Sequence, residues 1–294
     1  MITRLSSATK EVLIGDGLPT VLIGERINPT GKKKLAAALL AGDMDLVRRE
    51  AITQVEAGAD VLDLNVGVAG LDQVKMIPLA LKTVMEAVDV PVCFDSNNPE
   101  VLAAGLKNYK GKALINSVNG EEHSLNTILP IAKEFGAAVI ALTMDDDGIP
   151  AEVDKRVAIA HKLVERAAKM GIPQEDVVID CLTMTVGTEH TASATTMEAI
   201  RRVKAELGQN MTVGASNVSF GLPDREIINS AFLTLVIGAG VTCPIVNVAK
   251  VRPLVLATDL LLGRDEYCAR WIRAFRERQK ALEEQAAQAG QPAG

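Results

Sequence analysis

Val61-Leu62-Asp63-Leu64-Asn65, a helical stretch over 72–88, then Val90-Pro91-Val92-Cys93-Phe94-Asp95-Ser96-Asn97: this passage decides the fold. Two short apolar, β-branched runs are separated by a longer segment with helical spacing, so the strands are expected to lie parallel, with the helix as crossover. Both runs end on a carboxylate and an amide. The same ending recurs outward along the chain. Val21–Ile23 runs into Glu25 and Asn28, Ala113–Ile115 stops at Asn116-Ser117, and Val177–Ile179 stops at Asp180. Met211–Ala215 stops at Ser216-Asn217, and Cys243–Val246 stops at Asn247.

Helical segments fill the spaces between. Asp43 to Glu56 reads as a helix with Asp43 at its N-cap, and Pro99–Leu106 as another with Asn98 as cap and Pro99 in the first turn. Glu122–Phe135, Val153–Met170, 194–207, 224–237 and 251–262 follow, with a further strand at Ala137–Leu142. Eight strand–helix units in about 240 residues predict an α/β fold closed into a (β/α)8 TIM barrel. An open doubly wound sheet would carry a Gly-rich phosphate turn after its first strand. Here Glu25-Arg26-Ile27-Asn28-Pro29-Thr30-Gly31 follows instead. One domain is expected: an extension over 1–19, the barrel over 20–264, and a C-terminal helix and tail over 265–294. Gly15-Asp16-Gly17 is a hairpin signal. The extension could cover the barrel bottom or lie over a neighbour.

The chain has 294 residues, 48% hydrophobic, enough for a large core. A net charge of −6 without a long basic run disfavours nucleic acid and anionic membrane, and 3% aromatics argues against base-stacking platforms. Cysteines 93, 181, 243 and 268 form no CxxC pair and read as reduced thiols. With neither a leader nor an apolar run of membrane-spanning length, the chain is expected to be cytoplasmic.

Parallel strands in a barrel bring their C-terminal ends to one face, where barrel enzymes hold their chemistry. Asp63 and Asn65 share a strand face by the two-residue repeat. Asp, Asn and Ser also begin turns and cap helices, which could account for Ser96, Asn98 or Ser117 alone. Asp63 and Asp180, by contrast, directly follow apolar runs, where a carboxylate needs a partner. A ligand bearing N–H donors would provide one. His123, His161 and His190 are scattered away from strand ends, the strand cysteines read as small core residues, and no lysine lies in a strand. A metal site, a histidine base and a Schiff base are therefore not expected.

Taken in order, Ile23-Gly24-Glu25-Arg26-Ile27-Asn28, Asp63-Leu64-Asn65-Val66-Gly67, Asp95-Ser96-Asn97, Ile115-Asn116-Ser117, Leu142-Thr143-Met144, Ile179-Asp180 and Gly214-Ala215-Ser216-Asn217-Val218-Ser219 resemble the pterin-binding barrel family. Within it, the set is most similar to the methyltetrahydrofolate:corrinoid-protein methyltransferases, which include the folate module of cobalamin-dependent methionine synthase. The resemblance covers roughly residues 20–265. It implies that Asp95, Asn116 and Asp180 hold the pterin ring and that Asn217 acts at N5. It also implies that Asp63, Asn65, Ser96, Glu25 and Asn28 line the same mouth. Tetrahydrofolate or 5-methyltetrahydrofolate would be the substrate. The corrinoid would come on a partner protein, no metal would be bound by this chain, and the chain would pair as a homodimer. The corresponding system could be an O-demethylase or a related anaerobic methyl-transfer pathway. A dihydropteroate synthase-like enzyme or a non-catalytic pterin-binding protein are the alternatives. Lys32-Lys33-Lys34 could meet a folate glutamate tail or form a solvated helix start.

Overall fold

The computed structural model describes residues 1–289; the last residues of the expected C-terminal tail lie outside the described residues. The chain opens with an antiparallel hairpin, β1 (Ile2–Ser6) and β2 (Glu11–Gly15). Its turn is at 7–10, where the Ser7 N–H donates to Lys10 O and the Lys10 N–H to Ser7 Oγ, and not at the expected Gly15-Asp16-Gly17. That glycine pair instead leads the chain into the barrel, with Gly17 at φ 74°.

The first half of the barrel comprises β3 (Ile23–Ile27), α1 (Lys33–Ala41), α2 (Asp45–Glu56), β4 (Val61–Leu64), α3 (Gln73–Ala87), β5 (Val92–Asp95), α4 (Pro99–Lys107), β6 (Leu114–Asn119) and α5 (Glu122–Phe135). The second half comprises β7 (Ala138–Leu142), α6 (Val153–Lys169), β8 (Val177–Asp180), α7 (Ala192–Leu207), β9 (Asn210–Thr212), α8 (Arg225–Ala239), β10 (Ile245–Val246) and α9 (Val248–Leu261), and α10 (Ala269–Ala289) follows. All eight barrel strands are parallel, in the order β10-β3-β4-β5-β6-β7-β8-β9. A single parallel bridge, Gly214 to Ile245, joins β9 to β10 and completes the ring. The expected (β/α)8 architecture is therefore present.

Helix ends follow local chemistry. Asn98 caps α4 by accepting from the Glu100 N–H, with Pro99 in the first turn. At α2 the expected cap is displaced by one residue. Met44 occupies the N-cap position, while the Asp43 carboxylate accepts from the Asp45 N–H at 2.9 Å. Close packing of helix on sheet is visible at Gly105 of α4, where a Cβ would come within 2.6 Å of the Phe94 ring.

Strand alternation divides the core in two. Leu62, Leu64, Val92, Phe94, Ile115, Val177 and Ile179 pack outward against the helices. Val61, Cys93, Leu114, Ala138, Ile140 and Val178 pack inward, against Leu5, Val12 and Ile14 of the hairpin. The hairpin thus closes the bottom of the barrel with an apolar plug. Ascending the inward-facing positions, Val61 gives way to Asp63, Cys93 to Asp95, Leu114 to Asn116, and Val178 to Asp180. The barrel interior is apolar below and polar at the C-terminal rim.

Candidate functional site

Neighbouring strands β3 to β6 build one hydrogen-bonded cluster. Asp95, at the end of β5, accepts at Oδ2 from Asn65 Nδ2 at 2.9 Å and from Asn28 Nδ2 at 3.3 Å. Both amides are themselves held by backbone: Asn65 Oδ1 accepts from Gly67 N–H at 2.7 Å, and Asn28 Oδ1 from Thr30 N–H at 2.9 Å. Each therefore presents its donor side to Asp95. Asn116 lies opposite Asp95 in the β5–β6 register and donates to Asp63 Oδ1 at 3.3 Å. The Asn116–Ser117 peptide bond is cis.

Asp63 is 2% exposed and hydrogen bonded to Asp95. It lies beneath the mouth and not on its surface. Burial, then the neighbouring Asp95 charge, pushes Asp63 well above the usual carboxylate range. Burial raises Asp95 too, opposed by hydrogen bonds from Asn65 and Asp63. Above this pair opens a cleft of about 530 Å³, lined by Asn65, Gly67, Asp95, Ser96, Asn97 and Asn116 among others. Ser96 also makes the turn expected of a serine there, its Oγ accepting from the Asn98 N–H at 3.1 Å.

Asp180 closes β8 on the far side of the ring. It is 5% exposed and accepts from the Leu182 N–H at 2.7 Å. Burial pushes it up to about 7, against the opposing pull of the Leu182 and Gly214 N–H groups and of Arg156. No histidine is needed to place a group that titrates near neutrality here.

Asn217 sits in a short 3-10 turn, Ala215–Ser219, after β9. Its side chain is exposed, next to Gly214, where a Cβ would lie 3.1 Å from Asn217 Nδ2. In ring order β9 stands four strands from β5, so Asn217 and Asp95 rise from opposite sides of the rim. The turn is clamped on both flanks. Arg225 donates to Ser216 O at 2.7 Å and to Ser219 Oγ at 3.0 Å, and Ser219 Oγ donates to Asn229 Oδ1 at 2.7 Å. Ser216 Oγ donates to Glu25 Oε2 at 3.4 Å, tying the first strand to this turn. Glu25 is raised, mainly by burial. A small cavity of about 70 Å³ lies between Glu25, Ser216, Asn229, Asn247 and Lys250.

Of the lysine run, Lys33 and Lys34 are exposed, as a solvated helix start requires. Lys32 is not. It is half-buried and donates to Arg26 O at 2.8 Å and Glu25 O at 3.4 Å, at the end of β3. Burial lowers its pKa. Sequence patterning also passes over Arg156 and the clamping role of Arg225, because both bond to backbone carbonyls and hydroxyls, which no residue type announces.

Cys93, Cys181 and Cys243 are fully buried. Among the described residues, no three His, Cys, Asp or Glu side chains gather as a metal site would need, and no helix is long and apolar enough to cross a membrane. The rim instead offers carboxylates and amides arranged to meet a planar, nitrogen-rich molecule bearing both donors and acceptors.

Comparison with known proteins points the same way. Residues 24–247 match the profile of the pterin binding enzymes. The chain is 33% identical over 267 residues to the methylcorrinoid:tetrahydrofolate methyltransferase of Eubacterium limosum, covering 87% of this chain and 96% of that one. It is 35% identical over 250 residues to the methionine synthase of Mycobacterium leprae, covering 80% of this chain but only 21% of that protein. Among solved structures, dihydropteroate synthase from Xanthomonas albilineans with 7,8-dihydropteroate superposes with a TM-score of 0.64 at 18% identity, over 88% of this chain and 99% of that one. The Yersinia pestis dihydropteroate synthase with a sulfonamide drug gives 0.69 at 13% identity, over 89% and 99%. At such identity these structures establish the shared barrel alone.

Proposed function

Because the chain belongs to the family of pterin binding enzymes, we propose that it is a methyltransferase moving a methyl group between a corrinoid on a separate protein and N5 of tetrahydrofolate. The observation that carries this reading is the inward-facing set of Asp95 and Asp180, at the ends of β5 and β8, and Asn116, within β6 opposite Asp95. A carboxylate accepts two parallel N–H bonds from an aminopyrimidinone edge, and an amide can donate and accept at once. Asp95 and Asp180 grip the ring, Asn116 fills the remaining pairings, and Asn65 and Asn28 hold Asp95 in place. Asp63 supports from below, while Ser96 shapes the cleft edge and Glu25 braces the turn that carries Asn217.

Asn217 acts at N5. Methylation of tetrahydrofolate forms the N5–carbon bond as the cobalt–carbon bond breaks, leaves both electrons on cobalt, and releases the N5 proton. In reverse, N5 must leave, which a hydrogen bond or proton at that nitrogen favours. An exposed amide on a clamped turn can follow the changing charge without itself ionising. The corrinoid partner docks over the C-terminal rim, which the hairpin plug leaves open by closing the opposite end.

We place residues 1–294 as one working unit, cytoplasmic and homodimeric, and as the tetrahydrofolate-methylating component of an O-demethylase or related anaerobic system. Sedimentation tests the dimer. Reconstitution with a phenyl methyl ether demethylase and its corrinoid protein tests the pathway. The activity itself is tested optically, with free methylcobalamin and tetrahydrofolate: loss of the methylcobalamin spectrum supports the proposal. Folate binding without any cobalt demethylation would mark a pterin-binding protein with no transferase role. Condensation of a pterin pyrophosphate with p-aminobenzoate would mark a dihydropteroate synthase.

A further inference from the structure

Arg156, on α6, is the one buried Lys or Arg among the described residues, at 1% exposure. A cation so placed costs several kcal/mol unless its surroundings compensate it. Its acceptors are all neutral. Nε donates to Pro150 O at 2.7 Å. Nη1 reaches Cys181 O at 2.9 Å, Leu182 O at 2.9 Å and Thr196 Oγ1 at 3.3 Å. Thr196, on α7, bonds the same Leu182 carbonyl at 2.8 Å. No carboxylate is within ion-pair distance of Arg156 among the described residues, and the acids that act on it are the Cys181 thiol and then the Asp180 carboxyl.

Two of these acceptors are the residues immediately after Asp180. Leu182 has φ 54°, a left-handed conformation unfavourable for a branched side chain. The Leu182 N–H donates to Asp180 Oδ1 at 2.7 Å. The guanidinium holds the carbonyls of this turn while the turn's N–H holds the carboxylate. We propose that Arg156 is a positioning residue for pterin binding: it fixes the Asp180–Leu182 turn and supplies the positive charge that keeps Asp180 an acceptor for the ligand's N–H groups. This rests on the pterin reading given above.

The other titratable groups coupled to Asp180 are Cys181 beside it and Cys243 from the segment before β10. Burial holds both thiols protonated, pushing Cys181 above the thiol range and Cys243 up to about 12. Among the described residues, Arg156 is therefore the group acting on Asp180 that carries charge at neutral pH.

The test uses the full chain with Arg156→Met and Arg156→Lys. The Asp180 carboxyl is titrated in the free protein by carbon-13 NMR, assigned with Asp180→Asn, and tetrahydrofolate affinity is measured by anaerobic calorimetry across neutrality. Arg156→Met should raise the Asp180 midpoint and weaken neutral-pH binding roughly tenfold, with the loss shrinking in alkali. Arg156→Lys keeps the charge but not the planar guanidinium, whose Nε holds Pro150 O while Nη1 holds the turn carbonyls. Its midpoint should lie between the other two, with a smaller loss of affinity. A folded methionine variant with unchanged midpoint and unchanged pH profile overturns the proposal. Should that variant not fold, a lysine variant indistinguishable from wild type in both readouts overturns it equally. Wild-type protein that fails to bind tetrahydrofolate defeats the pterin reading instead, while the midpoint in the free protein still decides the link between Arg156 and Asp180.

Discussion

Asp63 and Asp95, on adjacent strands and both inward-facing, are joined by a hydrogen bond between their carboxyl groups. Two buried carboxyls in contact cannot both ionise at neutral pH, so the pair holds one proton. Asp63 is the deeper of the two and the better site for it. Asp95 receives the Asn65 and Asn28 donors and keeps the charge. Its remaining acceptor capacity is the part available to a ligand. Asp95→Asn places a donor where the pterin needs an acceptor, and folate affinity should fall roughly tenfold or more. Asp63→Asn preserves a neutral donor beneath and should cost far less. Calorimetry on both variants checks the difference; wild-type affinity in Asp95→Asn would remove Asp95 from the binding site.

Asp180 makes binding pH-dependent in a stated direction. Burial raises it from the ordinary 3.8 to about 7. The ionised form is the one that accepts two N–H bonds, so pterin affinity should strengthen as pH rises through about 7 and then level off. Fold stability moves the opposite way. A carboxyl with a raised folded pKa binds its proton more tightly in the folded state, so its contribution declines as pH climbs from 3.8 to about 7. In Asp180→Asn both dependences should flatten. A wild-type affinity that is constant through this interval would contradict the assignment.

Asn217 should separate binding from chemistry. Its turn is anchored through Ser216 and Ser219, not through its own side chain, which is exposed. Asn217→Ala should therefore fold normally and bind tetrahydrofolate within a few-fold of wild type. Transfer from methylcobalamin should slow by roughly a hundredfold, the usual cost of losing one donor that acts on developing charge. Pre-steady-state spectroscopy of the cobalt measures this directly. An unaltered transfer rate would place the N5-directed role elsewhere.

The strand ends were legible because parallel barrel strands leave a repeated trace, an apolar run followed by a polar residue, and because side-chain alternation puts Asp63, Asp95 and Asp180 on inward positions. Strand β4 and helix α5 lie where their patterns place them. The closing seam was less legible. Pro244 has no N–H for the ladder and β10 begins only at Ile245, while β9 ends at Thr212, short of the apolar run to Ala215. Arg156 was hidden for another reason. In Val153-Asp154-Lys155-Arg156 it looks like part of a solvated helix start, and its acceptors are backbone carbonyls, which no residue type announces. Lys32 was obscured similarly, its partners being the carbonyls of Glu25 and Arg26.

Asp259 offers a test of how the barrel is held shut, independent of any ligand. It lies on α9 at 0% exposure and accepts from Thr20 N–H at 2.9 Å and Thr20 Oγ1 at 2.6 Å, just before the first strand. Arg270 of α10 approaches its Oδ2 at 3.1 Å, and Arg264 its Oδ1 at 3.5 Å. One carboxylate thus ties the entry to β3, the last barrel helix and the C-terminal helix together. Asp259→Ala takes this acceptor from the Arg270 guanidinium and the Thr20 N–H, leaves Arg264 with Thr20 Oγ1, and should cost about 3–5 kcal/mol. Urea unfolding should show a lower midpoint. Because the site lies away from the rim residues, tetrahydrofolate affinity measured well below that midpoint should be retained. Unfolding indistinguishable from wild type would mean that the network is not what secures α10 and the first strand to α9.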